Sequence, residues 1–453
     1  MKHAYASLRS LLSSLAVAVA LTLCAAYAAM AQPSNKKVVV MTSYPEEVVS
    51  LIEAGFEKAY PGSRVEIIWR RSGDAMNYLK DNPGHVDVYW TPSQRTFAML
   101  AQQGAFQRLP VDMTGLPAKV GGFPVSDPDL LYAAFEISGF GFAVNTERLR
   151  EQGLPKPMQW TDLAEPRWRD ELTFPVPSRA AFSPPLVEII AQGHGWEKGW
   201  AILQQVGANS RAPTNDAPNS TNSLSRGQVA VNVSMDFFIK PAMEKGAPIV
   251  FVYPGITGYS PAHIAVFKDA PNLEAAKNFT RYALSEDAQK LLFHPDMLRL
   301  PVRPSVYADK PEGYYDPFAA AQAMPFEFDN KLAQKRQGLN IALYDVMVTD
   351  PHAQLREALD AVAQAGQAAG GDAALKARVD QARELITRLP ITQEQANELS
   401  GRFVSSFEFE DKPNANDELL RGWAEQVAQN RRQAVQIAQQ VISAKAGAGS
   451  ARQ

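Results

Sequence analysis

The strongest constraint on the fold is the alternation of short apolar runs with helical patterns between Lys36 and about Pro254. Patterns such as EEVVSLIEAGFEKAY, SQRTFAMLAQQGA and WEKGWAILQQV separate these runs and have the spacing of amphipathic helices. This alternation predicts an α/β architecture with largely parallel sheets, in which ligand sites lie at the carboxyl ends of the strands. The predicted strands are VVVM (38–41), VEII (65–68), VDVYW (86–90), FGFAVN (140–145), QVAVNV (228–233), PIVFVY (248–253) and HIAVF (263–267).

The composition changes after Pro325, where strand signals become rare. From about residue 330 to 445, Ala, Gln, Arg, Glu and Leu recur at helical spacing, as in REALDAVAQAGQ and AALKARVDQARELITRL. Breaks are expected at 366–372 and 411–416, where Gly, Asp and Asn interrupt this spacing. We therefore predict an all-α C-terminal extension over 326–445, followed by a disordered tail over 446–453.

The first 31 residues have the pattern of a secretory signal. Lys2 and Arg9 supply positive charge, an apolar segment follows, and AMA (29–31) gives the small-x-small motif that precedes cleavage. The alternatives are a retained membrane anchor and lipid attachment at Cys24, although Leu23 stands where a lipid-attachment motif needs a small residue. The pattern predicts a cleaved signal peptide over 1–31 and a periplasmic location.

Composition and charge exclude several kinds of protein. Cys24 is the only cysteine and is expected to leave with the signal, so the mature chain of about 420 residues has no disulfide or thiol chemistry. Loss of Lys2 and Arg9 takes the net charge from −3 to −5, and the absence of a basic stripe argues against nucleic acid as a partner. The length is sufficient for two or more domains.

Several segments between about Lys36 and Arg303 resemble type II extracellular solute-binding proteins of ABC importers. The segment WTDLAEPRWRDELTFPVPS (160–178) is similar to the element that opens the second lobe in this family. The segments VNVSMDFFI, VYPGITGYSPAHIAVFKDAPN and LRLPVRPS resemble a subgroup that includes phosphoglycerate-transport regulatory proteins and organophosphonate or iron(III) binders. The resemblance leaves the helical extension outside the common family pattern.

This resemblance implies a two-lobed α/β fold with a hinge, in which a bound ligand closes the cleft between the lobes. Lobe one would combine 32–141 and 256–325, and lobe two would fill 142–255. The resemblance also implies an ABC permease in the inner membrane as a partner. A membrane sensor kinase is the alternative partner, because the phosphoglycerate-transport regulatory proteins work with one.

Two candidate binding loops follow the first two predicted strands. Ser43 and Tyr44 stand between a strand and a helix, where hydroxyls and unpaired N–H groups could hold an anion. Arg70 and Arg71 follow the next strand, and Ser72 is predicted to cap the helix after it. A guanidinium binds phosphate or carboxylate oxygens through two parallel charge-assisted bonds. The alternative is an ordinary pair of exposed arginines.

Two further loops carry hydroxyls in the same position relative to strands. Thr91 and Ser93 follow VDVYW, and Ser178, Arg179 and Ser183 follow a short apolar segment. Backbone N–H groups between Ser178 and Ser183 could form a concave nest for an anion. The alternative for each of these loops is turn chemistry and helix capping.

Four more residues are candidates for ligand contacts. Ser138, beside Gly139, lies near the expected hinge, where a glycine lets the backbone turn or approach a ligand. Asp236 follows a predicted strand and either accepts a hydrogen bond from the ligand or locks the second lobe. Tyr259 and Ser260 lie at the second crossing between the expected lobes, and the alternative for Tyr259 is packing.

Metal binding and catalysis have little support in the sequence. Iron(III)-binding members of the family place two adjacent tyrosines where this chain has Phe237 and Phe238, which carry no oxygen ligand. No GxSxG elbow, P-loop or HExxH motif is present, so we expect neither an enzyme nor a cofactor. The histidines of the mature chain are scattered without a metal-binding pair: His85, His194, His263, His294 and His352.

These observations favour a periplasmic substrate-binding component of an ABC-type importer that captures a small organic anion by lobe closure. Phosphoglycerate, other organophosphates and phosphonates are favoured over carboxylates because of the paired arginines and the subgroup resemblance. One alternative is a ligand-sensing regulatory protein that signals to a membrane sensor kinase. An iron(III) binder is disfavoured by Phe237 and Phe238, and a structural envelope protein that kept the fold without a ligand is a further alternative.

Overall fold

The structure is a computed structural model that describes residues 36–180, 182–211, 217–324, 326–403 and 416–450. The predicted signal peptide over 1–31 lies outside the described residues. The chain forms two compact units, each assembled from separate segments. The first contains the described part of Met1–Asp112 together with Asp129–Tyr132 and Ile264–Ala288; the second contains Met113–Pro128, Ala133–His263 and Gln289–Gln453, as far as these are described.

The strands confirm the predicted alternation and are separated mostly by helices. Strand β6 is much longer than the predicted run 140–145, because the apolar residues before it are buried as well. The strands are β1 (Lys36–Thr42), β2 (Ser63–Trp69), β3 (Val88–Thr91), β4 (Lys119–Val120), β5 (Phe123–Pro124), β6 (Ala133–Asn145), β7 (Leu172–Thr173), β8 (Val231–Met235), β9 (Ile249–Val252), β10 (Tyr259–Val266) and β11 (Leu300–Pro301).

Helices connect most of these strands and then make up the C-terminal region. They are α1 (Glu46–Ala59), α2 (Ser72–Asp81), α3 (Gln94–Gln102), α4 (Thr146–Gln152), α5 (Trp160–Leu163), α6 (Pro184–His194), α7 (Trp196–Asn209), α8 (Ala217–Ser225), α9 (Asp236–Glu244), α10 (Leu273–Ala283), α11 (Glu286–Leu291), α12 (Pro317–Ala323), α13 (Asn330–Tyr344), α14 (His352–Ala369), α15 (Ala373–Thr387), α16 (Gln393–Leu399) and α17 (Asp417–Ser450).

The first unit is built on a parallel arrangement of β1, β2 and β3. Strand β1 lies between the other two, and Thr42 is in register with Trp69 on one side and Trp90 on the other. The β-branched run in β1 is buried, as expected for a strand covered on both faces. Helix α1 buries one face that includes Ile52 and Phe56. Because the strands are parallel and in register, their carboxyl ends meet at one edge.

The second unit is centred on β6, all of whose residues are buried. Strands β8, β9 and β11 pair with β6 in the antiparallel direction, and β7 pairs with β8 in the parallel direction. The expectation of largely parallel sheets is therefore wrong for this unit. A buried apolar run has the same composition in either direction, so the sequence pattern carries no information about strand direction.

The predicted C-terminal helices are present within the second unit, as helices α13 to α17. A five-residue π-helix, Asp345–Thr349, follows α13 directly. Helix α17 runs to Ser450, so 446–450 continue a helix instead of beginning the predicted disordered tail. The physical reason is that adding a residue to an existing helix costs much less than starting one. Residues 451–453 lie outside the described part.

The bounds of the two units differ from those of the expected lobes. Residues 113–128, 133–141, 256–263 and 289–324 belong to the second unit, whereas the resemblance implied that they belong to lobe one. The division into 32–141 with 256–325 and 142–255 stays a prediction. Within the described residues, no helix combines the length and the hydropathy that a membrane span needs.

Candidate functional site

The carboxyl ends of β1, β2 and β3 bring together residues from three separate loops of the first unit. The register places Thr42 beside Trp69 and Trp90, so the residues that follow lie along the same edge. Ser43 Oγ is 2.6 Å from Thr91 Oγ1, and the Arg70 N–H donates to the Thr42 carbonyl oxygen at 2.9 Å. We call this group, together with Trp69 and Arg71, the strand-end edge.

Two exposed guanidinium groups belong to the strand-end edge. Arg70 donates to the Trp69 carbonyl oxygen at 2.8 Å and lies over the Tyr78 ring, 4.8 Å from its centroid. Arg71 is exposed and is the N-cap residue of α2, although its side chain makes no capping hydrogen bond. The predicted cap, Ser72, is the first residue of the helix instead, because Arg71 has the extended backbone that a cap requires.

Trp69 was not predicted from the sequence as a site residue. Its side chain is 47 % exposed, and its indole N–H donates to the Tyr44 carbonyl oxygen at 3.0 Å. The indole is thereby held against the turn that carries Ser43. An aromatic residue at the end of a strand, directly before two arginines, is the sequence signal that could have indicated it.

Three predicted residues of this edge are less accessible than expected. The Tyr44 side chain is 2 % exposed and packs on Trp90, with 4.8 Å between ring centroids. A phenol buried in this way packs in the core and leaves little surface for the ligand contact, which stays a prediction. Thr91 is 1 % exposed, and it reaches the edge through its contact with Ser43. Ser93 is partly buried and caps α3, where its carbonyl oxygen accepts from the Thr96 hydroxyl.

The loop that carries Ser178, Arg179 and Ser183 lies in the second unit. Ser178 Oγ donates to Asp345 Oδ1 at 3.0 Å, and the buried Ser183 Oγ donates to the Ala180 carbonyl oxygen at 2.8 Å. The N–H groups of Arg179 and Ala180 both donate to the Val176 carbonyl oxygen.

The N–H of Ser183 is also used, by the Ala180 carbonyl oxygen. These hydrogen bonds use the N–H groups of Arg179, Ala180 and Ser183 within the turn, so they leave fewer donors for the anion nest, which stays a prediction. Ala181 lies outside the described residues. The exposed Arg179 side chain is the part of the loop that remains a candidate ligand contact.

Asp236 is buried and serves as an acceptor within its own unit. Oδ2 accepts from the Gly139 N–H at 3.0 Å and from the Tyr253 hydroxyl at 2.8 Å, and Oδ1 accepts from the Phe237 N–H at 2.6 Å. A Cβ atom at Gly139 would lie 2.6 Å from the Tyr253 ring, so only glycine fits. Of the two predicted roles for Asp236, these contacts favour locking the second unit over binding ligand.

Two tyrosines that were not predicted as site residues, Tyr253 and Tyr315, lie near Asp236. Tyr253 stacks on Tyr315 with 3.6 Å between ring centroids, and the hydroxyls of Tyr315 and Tyr259 are 2.7 Å apart. Burial raises the pKa of Tyr253 well above its ordinary value, with a further rise from Asp236, and burial raises the pKa of Tyr315 to about 12. These side chains are therefore neutral phenols at physiological pH.

The predicted residues Ser138 and Ser260 lie on strands of the second unit. Ser138 is 3 % exposed in the middle of β6, and Ser260 is partly buried in β10. Tyr259 is 2 % exposed, so packing, the alternative noted for it, describes its position.

A second polar cluster adjoins Asp236 along the chain. Arg299 Nη1 lies 2.9 Å from Glu136 Oε1, with both side chains buried, and the guanidinium carbon is 4.5 Å from the centroid of the Phe237 ring. Lys240 Nζ donates to the Leu298 carbonyl oxygen at 2.7 Å, and burial lowers the pKa of Lys240. These internal ion pairs and hydrogen bonds are structural, and none of them was predicted.

The two positions at which iron binders of the family place tyrosines are phenylalanines in this chain. No group of three or more His, Cys, Asp or Glu side chains that could hold a metal ion occurs in the part of the chain that the structure describes. Phe237 packs under Arg299, and Phe238 is 44 % exposed. Neither offers the oxygen that a hard cation needs.

A family model described as bacterial extracellular solute-binding protein matches residues 86–322, just over half of the chain. The chain belongs to this family. Proteins of this family bind small solutes outside the cytoplasm and work with ABC permeases, and the family is not an enzyme class. The resemblance seen in the sequence is confirmed at this level.

Curated relatives and solved structures support the same assignment. The phosphoglycerate transport regulatory protein PgtC of Salmonella typhimurium is 25 % identical over 362 residues, which is 80 % of this chain and 87 % of that protein. The periplasmic binding protein AfuA of Actinobacillus pleuropneumoniae, with fructose-6-phosphate bound, has 22 % identity and a TM-score of 0.55. The match covers 69 % of this chain and 98 % of AfuA.

Iron-binding proteins have a similar fold. The Trichodesmium protein FutA, in complex with iron and citrate, is 17 % identical with a TM-score of 0.52, over 68 % of this chain and 98 % of that protein. These likenesses confirm the fold class, an α/β periplasmic binding protein with additional C-terminal helices. At such identities they show the fold alone.

Proposed function

We propose that this protein is the solute-binding component of an ABC importer and that it binds a small phosphorylated anion at the strand-end edge. The observation that carries the proposal is the juxtaposition of Ser43, Arg70 and Thr91, which come from three loops far apart in the sequence. Periplasmic capture depends on the signal peptide predicted over 1–31.

The chemistry of the edge suits a phosphate or phosphonate. Arg70 and Arg71 are both exposed, and a guanidinium can donate two parallel hydrogen bonds to such a group. The N-termini of α2 and α3 lie beside Arg71 and Thr91, and the N–H groups of a first helical turn favour negative charge. Asp74 in the first turn of α2 opposes this effect, so we assign the main attraction to the arginines.

Two relatives support a phosphorylated ligand. PgtC is named for phosphoglycerate transport, and AfuA was solved with fructose-6-phosphate. Phosphonates share the same anionic group and stay within the proposal. Iron(III) is disfavoured because Phe237 and Phe238 supply no phenolate.

Calorimetry and thermal shift test this proposal with 3-phosphoglycerate, phosphoenolpyruvate, 2-aminoethylphosphonate, fructose-6-phosphate and ferric citrate. A ligand at 100 times its Kd should stabilise the protein by about 2.7 kcal/mol. Arg70→Gln should weaken binding about tenfold or more, because a hydrogen bond to a charged group contributes about 1.5–3 kcal/mol.

The matched control is Arg64→Gln, which removes an exposed arginine at the opposite end of β2 that pairs with Glu57. It should leave the Kd unchanged. Unaltered melting temperatures with every phosphate and phosphonate would remove the proposed function. An equal loss in Arg64→Gln and Arg70→Gln would remove the assigned site.

A second candidate function is ligand sensing through a membrane sensor kinase. The observation that favours it is the reach of the match to PgtC, a transport regulatory protein: 362 matched residues exceed the 325 that precede the helical extension, so part of the extension is shared. Residues 326–362 lie within any match of this length, so the exposed face of α13 would contact the sensor. Lys331→Glu with Lys335→Glu should abolish ligand-dependent induction and leave the Kd unchanged; normal induction by this double variant would contradict the sensing role.

A further inference from the structure

One large apolar side chain of the strand-end edge is accessible to a solute. Trp69, at the end of β2, is 47 % exposed. Trp90 of β3 is fully buried, although both tryptophans are in register with Thr42 of β1, which lies between the two strands. Tryptophan is highly buried on average, so an indole that leaves half its surface exposed calls for an explanation. The hydrogen bond from its N–H to the Tyr44 carbonyl oxygen, at 3.0 Å, fixes the ring in this position.

The polar groups next to this indole are of two kinds. The Arg70 guanidinium follows it directly in the sequence and is tied to the Trp69 carbonyl oxygen at 2.8 Å. On the other side of Thr42, toward β3, the Ser43 and Thr91 hydroxyls lie 2.6 Å apart. A cationic group, hydroxyls and an apolar face therefore lie on neighbouring side chains of the strand-end edge.

We propose that Trp69 is a stacking surface for the ring of the ligand, and that the ligand is a phosphorylated cyclic sugar. This inference rests on the proposed function and narrows its ligand class. The C–H groups on one face of a sugar ring form an apolar patch with positive partial charge, which complements the negative face of an indole. A three-carbon acid such as 3-phosphoglycerate has no ring and therefore offers no such face.

The edge also accounts for the other groups of a sugar phosphate. The phosphate is assigned to Arg70 and Arg71, as in the proposed function. The exposed Ser43 hydroxyl, which the buried Thr91 hydroxyl holds in place, donates to or accepts from a ring hydroxyl, because a hydroxyl has one donor and two acceptor positions. The sugar specificity is thus assigned to Trp69, and the general attraction for phosphate is assigned to the arginines.

The test compares two ligand classes in variants at one position. Trp69→Ala should weaken binding of fructose-6-phosphate and glucose-6-phosphate about tenfold or more, since stacking on an aromatic side chain contributes about 1–3 kcal/mol. The same variant should change the Kd for 3-phosphoglycerate by less than about threefold. Trp69→Phe, which keeps an aromatic face, should restore most of the affinity for the sugar phosphates.

The control is Met158→Ala, which removes an equally exposed apolar side chain, 50 % exposed, in the second unit. It should change neither Kd. A second measurement uses indole fluorescence: a sugar phosphate should change the emission of the wild-type protein, and Trp69→Phe should abolish most of that change. If Trp69→Ala weakens binding of the sugar phosphates without lowering the melting temperature of the ligand-free protein, Trp69 acts on the ligand and not on the fold.

The outcomes separate this inference from the proposed function. If the wild-type protein binds no phosphorylated compound, both are overturned. Binding of phosphorylated compounds that depends on Arg70 supports the proposed function. The stacking role is overturned if Trp69→Ala leaves the affinity for sugar phosphates unchanged, or if it weakens binding of 3-phosphoglycerate equally. Weaker binding of sugar phosphates alone in Trp69→Ala supports both the stacking role and the proposed function.

Discussion

Arg336 of α13 and Glu188 of α6 form an ion pair in the core of the second unit, with 3.5 Å between Nη1 and Oε1 and each side chain 1 % exposed. Asn340 donates to the same carboxylate oxygen at 2.8 Å, and the Arg336 guanidinium lies over the Trp196 ring, 4.9 Å from its centroid. The helical extension therefore shares a core with the α/β part of its unit and braces it.

Replacement of Arg336 by Met should destabilise the protein by about 3–5 kcal/mol, because it leaves the Glu188 carboxylate buried without its cation. Arg383→Ala, which removes an exposed partner of Asp380, should cost less than about 1 kcal/mol. Urea unfolding measures both. A cost for Arg336→Met no larger than that of the control would show that the extension is not part of the core.

The contact between Ser178 and Asp345 gives a pH-dependent prediction. Burial raises the pKa of Asp345, against the opposing effects of hydrogen bonds from Thr349 and Ser178. The folded state thus binds this proton more readily than the unfolded state, so the contribution to stability is largest at low pH and is lost as pH rises through the raised pKa. Asp345→Asn keeps an acceptor for Ser178 and removes the titration.

We therefore expect Asp345→Asn to melt at a higher temperature than wild type at pH 8, with the difference shrinking toward pH 4. Melting curves at several pH values by circular dichroism provide the measurement. The exposed Asp360→Asn, which weakens a separate contact with Arg169, is the control and should not show this trend. A variant that loses stability at high pH relative to wild type would contradict the assignment.

His263 should make the protein sensitive to acid. Burial lowers its pKa from 6.5 to about 3, so the folded state resists protonation while the unfolded state accepts a proton below about pH 6.5. Stability from this residue is present above that pH and is lost as pH falls, by about 2 kcal/mol between pH 7 and pH 5. Denaturant unfolding at both pH values should show this loss, and His263→Leu should reduce it.

The exposed His85 provides the comparison, since His85→Gln should leave the loss of stability between pH 7 and pH 5 unchanged. Equal acid sensitivity in wild type and His263→Leu would show that other groups are responsible.

The sequence was sufficient to predict the strand-end edge because its geometry follows from local patterns. An apolar run that ends at Ser43 and another that ends at Arg70 meet when parallel strands are in register, as they are here. The positions missed depend on contacts between distant residues. Ser178 finds Asp345 after 167 residues of chain, and nothing in the local sequence around Ser178 indicates that carboxylate.

Burial was the other source of error. Tyr44 follows a strand just as Ser43 does, but Trp90 covers its ring, and a one-dimensional pattern does not show which side of a turn is covered. Trp69 was missed for the opposite reason, because an aromatic residue at a strand end is expected to be buried. The local sequence also does not show the direction of strand pairing in the second unit. Strand β6 is buried along its whole length, and such a strand has the same apolar sequence beside parallel or antiparallel neighbours.

The most direct test of this account is a crystal structure of the protein with fructose-6-phosphate. The account predicts the phosphate within hydrogen-bond distance, about 3 Å, of the Arg70 guanidinium, with a ring hydroxyl of the sugar at Ser43 Oγ and the sugar ring against Trp69. A phosphate bound away from these residues, or a metal ion held by tyrosines in place of any phosphate, would contradict it.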